Sequence, residues 1–208
     1  MERICLDQHA LNIHLAKQLF EFGPLMVLSG GVAGLTDGHT QGGGVQRDLG
    51  NLEFPGPITF RKMHWESLRM SYSRAPFFDH YRLPYQQIYS SGWSSFMPFL
   101  LALLNQHILD LGIKTPLVFS SDMNVNGHKS GLGLDICKSL GATTYLSGSY
   151  GQNYIDNKAF LDNGITVDYQ DYKHPIYAQS WPGFEPFLGI LDLLFNQGMV
   201  SLQIIMAN

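Results

Sequence analysis

The sequence predicts an α/β fold: an at least partly parallel sheet covered by helices, in one domain spanning residues 1–208. Three observations predict it. From residue 116 onward, short apolar runs alternate with stretches of helical period, each closed by Gly or Pro. Apolar residues make up 45% of the chain and charged residues only 14%, which suits a packed core and not a disordered chain. No internal repeat, low-complexity linker or firm domain boundary interrupts the 208 residues.

The elements follow in order. Leu11, Leu15, Leu19 and Phe22 recur at helical spacing and predict a helix near residues 10 to 21. Pro24 to Ser29 is a short apolar run between breakers, hence a buried strand. Residues 23 to 56 hold ten of the twenty-two glycines and read as loop. Pro57 to Phe60 reads as a strand, and His64 to Ser73 as a helix ended by Ala75-Pro76. Phe77 to Ser90 predicts a helix interrupted at Pro84, and Ser94-Ser95 can cap another running to about Leu111. Apolar residues cover nearly the whole circumference of that last helix, which predicts a buried one. Strands then follow at Pro116 to Ser120, Thr143 to Leu146 and Ile165 to Tyr169. Helices alternate with them at Ser130 to Leu140 and Asp156 to Asp162. A final helix runs from Pro186 to Asn196, with proline in its first turn.

Composition also bounds function. A net charge of −4 provides no basic footprint for nucleic acid. The longest strongly apolar run, Phe96 to Leu104, is too short to cross a bilayer, and the start lacks the order of a secretory signal. Cys5 and Cys137 have no paired spacing and read as reduced thiols of a cytoplasmic protein; no metal site is indicated. Dinucleotide, Walker, zinc-protease and nucleophile-elbow motifs are all absent. The glycine-rich stretch after Ser29 holds too little positive charge to argue for a phosphate cradle.

Two places carry chemistry. Six of the ten tyrosines fall between Tyr145 and Tyr177, just beyond predicted strand ends, where ligands of open α/β sheets bind. Ser147, Gly148, Tyr150 and Tyr154 follow one strand; Asp171, Tyr172, Tyr177 and Gln179 follow the next. Rings with polar tips among Gln, Asn and Asp suit a sugar or nucleotide, and equally suit half-buried packing positions. Asp192 is the second place, a carboxylate in an otherwise apolar helix with Asn196 one turn on. It either fixes a neighbouring loop or faces a site as acid, base or amine anchor.

Several segments resemble the WbqC-like family of bacterial proteins, found with surface-polysaccharide and amino-sugar genes. They run in family order over about residues 60 to 198: His64-Trp65 through Phe77-Phe78, Leu111 to Thr115, Ile136 to Gly148, Tyr154-Ile155-Asp156, and Phe184-Glu185-Pro186 leading into Ile190 to Gly198. The first third departs from the pattern, since the family's aromatic Pro-Trp segment is absent. The resemblance implies a transferase acting on a nucleotide-linked amino sugar in surface-polysaccharide (O-antigen) biosynthesis, through acyl or aminoacyl transfer to its amine. It implies a small-molecule substrate and no cofactor. His64 or Asp192 would then be the base, and the Ser147-Gly148 loop would supply N–H groups to an oxyanion. Tyr150, Tyr154, Tyr172 and Tyr177, with Asp171 and Gln179, would contact the substrate. The alternatives are a non-catalytic sugar- or partner-binding protein of the same pathway, or an inactive divergent member.

Overall fold

The computed structural model describes residues 59–207 and two short strands, Ile4–Leu6 and Met26–Leu28. The predicted helix at 10–21 and the glycine-rich stretch lie outside the described residues. The α/β class holds, and the chain divides into two compact units, described in turn.

The first unit joins the two short strands to residues 113–173. Its strands are β1 (Ile4–Leu6), β2 (Met26–Leu28), β3 (Leu117–Phe119), β4 (Thr144–Ser147) and β5 (Thr166–Tyr169). Every pairing is parallel: β1-β4-β5 in one sheet and β2-β3 in another. Parallel neighbours need a crossover rather than a tight turn, and α5 (Asn157–Asp162) lies within the one between β4 and β5. Before β4 stands α4 (Ser130–Leu140), ended as predicted by Gly141 in the left-handed region. Asp156 caps α5 by accepting from the Ala159 N–H at 3.1 Å, and its own N–H donates to the Ser130 hydroxyl at 3.0 Å. The core gathers Ile136, Cys137, Tyr145, Ile155, Phe160 and Ile165. The Tyr145 and Phe160 rings stack with centroids 5.0 Å apart.

The second unit joins residues 59–112 to 174–207. It contains α1 (Thr59–Tyr72), α2 (Phe78–Ser90), α3 (Phe96–Asp110), α6 (Ile190–Gln197) and α7 (Ser201–Met206). Phe78, Tyr81, Tyr85 and Tyr89 form the buried stripe of α2, at helical spacing. Phe195 is fully buried, with the rings of Tyr72, Phe78 and Tyr85 around it at 5.2–6.3 Å. The Phe77 N–H donates to the Phe195 carbonyl at 2.9 Å, tying the start of α2 to α6.

Several expectations are corrected here. Thr59 and Phe60 belong to α1 and not to a strand, because they continue into the helical spacing of Arg61, Trp65, Leu68 and Tyr72. Pro84 does not break α2, since the aromatic stripe on either side of it is buried against one surface. The helix around Phe96–Asp110 is less buried than its composition predicts: Phe99 and Leu104 are covered, whereas Leu109 is exposed. The last predicted helix starts at Ile190 rather than Pro186, because Phe187 holds φ at 62°, which no helix accepts.

Candidate functional site

Burying a carboxylate costs several kcal/mol, of order, unless donors replace the lost water. Asp192 is 3% exposed and stands in the first turn of α6, where the helix dipole favours negative charge. Tyr177 donates its hydroxyl to Asp192 Oδ2 at 2.8 Å, and Gln179 donates Nε2–H to the same oxygen at 3.0 Å. Asn196, one turn on, donates Nδ2–H to Oδ1 at 3.2 Å. The Tyr72 hydroxyl, at the end of α1, also hydrogen-bonds the carboxylate. Ser180 donates its hydroxyl to Asn196 Oδ1 at 2.5 Å, which fixes the orientation of that amide.

Burial first, and then the Asp192 charge, hold the Tyr72 and Tyr177 phenols far above the ordinary tyrosine range. Both phenols therefore keep their protons. Gln179 uses its whole amide: Oε1 accepts from the Glu185 N–H at 2.8 Å, while Nε2 donates to the Glu185 carbonyl at 2.9 Å. One side chain thus closes the Ser180–Phe184 loop and ties it to Asp192.

This loop, the end of α1 and α6 border an open cavity of about 430 Å³. Tyr72, Gln179, Trp181, Phe184, Leu188 and Asp192 line it. That volume suits a small molecule, and rings around a few polar groups, here including the carboxylates of Asp192 and Glu185, are usual for such sites.

Two of the ten sequence-predicted site residues, Tyr177 and Gln179, meet a third, Asp192, in this network. His64 stands elsewhere on α1, its Nδ1 2.8 Å from the Tyr89 hydroxyl, and burial lowers its pKa. Ser147, Gly148, Tyr150, Tyr154, Asp171 and Tyr172 belong to the first unit. There, the parallel register pairing Ser147 with Tyr169 brings two strand ends to one edge of the sheet. Ser147 is buried and donates its hydroxyl to the Gly148 carbonyl at 3.2 Å. Tyr150 and Tyr154 are exposed in and just after the turn Ser149–Asn153. Asp171 is exposed; Tyr172 is half-buried and desolvation pushes its phenol up to about 12.

Sequence reasoning passed over Tyr72 as a site residue. Tyr72 reads as one more aromatic on a helix, and nothing local shows that its hydroxyl meets a carboxylate 120 residues on, an arithmetic separation from Asp192 in the chain. Trp181 closes the polar-aromatic series that follows Tyr169 in the sequence, and the structure places it in a Pro-Gly loop at 63% exposure. Among the described residues, no group of three or more His, Cys, Asp and Glu side chains is placed to hold a metal ion.

The sequence profile of the WbqC-like protein family matches residues 42–204. The chain belongs to that family. This WbqC-like protein is similar to the uncharacterized protein Rv1507c of Mycobacterium tuberculosis (strain ATCC 25618 / H37Rv), with 36% identity over 143 residues. The match covers 66% of this chain and 60% of that relative's length. No solved structure matches the chain. Among the described residues, no helix is long and apolar enough to cross a membrane.

Proposed function

We propose that this WbqC-like protein is a transferase that acylates or aminoacylates the amine of a nucleotide-linked amino sugar in surface-polysaccharide (O-antigen) biosynthesis. A buried carboxylate bordering a small-molecule cavity carries the reading. An ammonium entering that cleft meets the Asp192 charge together with the oxygen of the protonated Tyr72 phenol, while Tyr177, outside the lining, holds the carboxylate. These are the acceptors that a sugar amine needs. Transfer first needs the ammonium to give one proton to a base, which frees the nitrogen lone pair. The amine then attacks the acyl carbon, the C–N bond forms as the bond to the leaving group breaks, and the second N–H proton leaves with the departing group. Of the two candidate bases, Asp192 borders the cavity and is preferred over His64.

Ser147, Gly148, Tyr150, Tyr154, Asp171 and Tyr172 are proposed as ligand contacts of their own unit, on residue type and strand-end position. A binding role without turnover is the second reading. It is favoured by the protein donors already gathered on both Asp192 oxygens. Mass spectrometry separates the two readings: purified protein is incubated with a uridine-diphosphate amino sugar and a panel of acyl thioesters. Acylated sugar nucleotide, lost in Asp192→Asn, supports transfer. Retention of the unmodified sugar with every donor, despite measurable binding, supports the binding role.

A further inference from the structure

A second cleft of about 390 Å³ adjoins the Asp192 cavity and shares Ser71 and Trp181 with it. Its other walls include Arg69, Ser73, Arg74 and Ser180. Two guanidinium groups and the hydroxyls of Ser71 and Ser73 make this a place for an anion, the Ser180 hydroxyl being committed to Asn196. The planar fork of Arg matches two oxygens of a phosphate at once, and serine hydroxyls add neutral donors. Arg69 lies in the last turn of α1, where the helix dipole opposes an anion, so the attraction must come from the side chains.

Arg69 is engaged by Glu66 at 2.8 Å, but both side chains are about half exposed, at 52% and 45%. Such a pair is weak and exchanges readily for a better partner. Trp181 is 63% exposed and walls both spaces. An indole in that position offers a face on which a sugar or base ring can stack.

We infer that the Arg69–Arg74 cleft takes the phosphate groups of the substrate, while its amine reaches Asp192 on the other side of Trp181. This rests on the amine-anchoring reading of Asp192. The substrate class narrows accordingly to amino sugars joined to a diphosphate.

Calorimetric titration with uridine diphosphate and with inorganic pyrophosphate tests the cleft apart from the amine. The protein should bind both, and the Arg69→Gln/Arg74→Gln variant should bind each at least tenfold more weakly. Lys158→Gln removes an exposed charge from α5 in the first unit and should leave the affinity as it was. Arg74→Lys, which keeps the charge without the fork, should fall between the parent and the double variant. Thermal unfolding of each variant establishes that it is folded. Equal binding by parent and double variant, or no binding of either ligand by the parent, overturns the inference. A uridine-diphosphate amino sugar that binds no better than uridine diphosphate, with both dependent on the two arginines, contradicts the Asp192 reading and leaves the phosphate cleft standing.

Discussion

At Asp192 the hydroxyls of Tyr72 and Tyr177 and the amides of Gln179 and Asn196 stand where water would be. Replacing Asp192 by Leu should therefore cost about 1–3 kcal/mol or more, because it orphans several buried donors at once. Urea unfolding measures this, and an unchanged midpoint would show that those donors find other partners. Gly198 is a second residue with little choice. Its φ is 61°, and a Cβ there would stand 2.5 Å from the Phe77 ring. Gly198→Ala should lower the thermal midpoint by several degrees, by about 1–3 kcal/mol of strain and overpacking. At this scale Asp192 was legible, because an acid among Leu, Ile and Phe on one helix demands an explanation. Tyr72 was not, because its role depends on a partner distant in sequence.

Helix α2 and helix α3 meet through a polar contact inside their aromatic seam. The Tyr85 hydroxyl donates to Asp110 Oδ2 at 2.7 Å, which leaves its oxygen to accept from His107 Nδ1–H at 2.7 Å. Burial lowers the His107 pKa to about 4. The unfolded chain takes up that proton near pH 6.5, so this contribution is complete above 6.5 and is lost as the pH falls toward 4. Asp110, which desolvation raises, acts in the opposite sense at the acid end. Stability measured by urea unfolding should fall between pH 6.5 and 4, with a shallower slope in His107→Gln. Equal slopes would show that other groups govern the acid side. The cap of α5 gives a smaller effect: Asp156→Ala should cost about 1 kcal/mol, read in the same assay. The elements of the first unit were legible because Gly, Pro and capping residues punctuate them; α4 spans Ser130–Leu140 as predicted. The start of α6 was not. A proline signals a first turn only when the next residues can be helical, and Phe187 is not.

Over the whole molecule, two cores are built around different aromatic residues, Phe160 in one unit and Phe195 in the other. Phe160→Ala should cost about 3–5 kcal/mol. Native-state hydrogen exchange should then show faster opening chiefly in residues 113–173. Uniform acceleration along the chain would instead show one cooperative domain. The α/β class was legible from the alternation of apolar runs and capped helices, whereas the division into two units was not. The described residues of one of them, 59–112 and 174–207, are separated in sequence by the other, and no linker marks the boundaries. The central functional claim is that Asp192 anchors a substrate amine. Its most direct test is thermal stabilisation of the protein and of Asp192→Asn by a uridine-diphosphate amino sugar and by the same sugar nucleotide with its amine acetylated. Stabilisation follows the ratio of ligand concentration to dissociation constant. The free amine should stabilise the parent protein at lower concentration than the acetamide, and Asp192→Asn should abolish that preference. Equal stabilisation by both ligands, or a preference that survives in Asp192→Asn, would contradict the account.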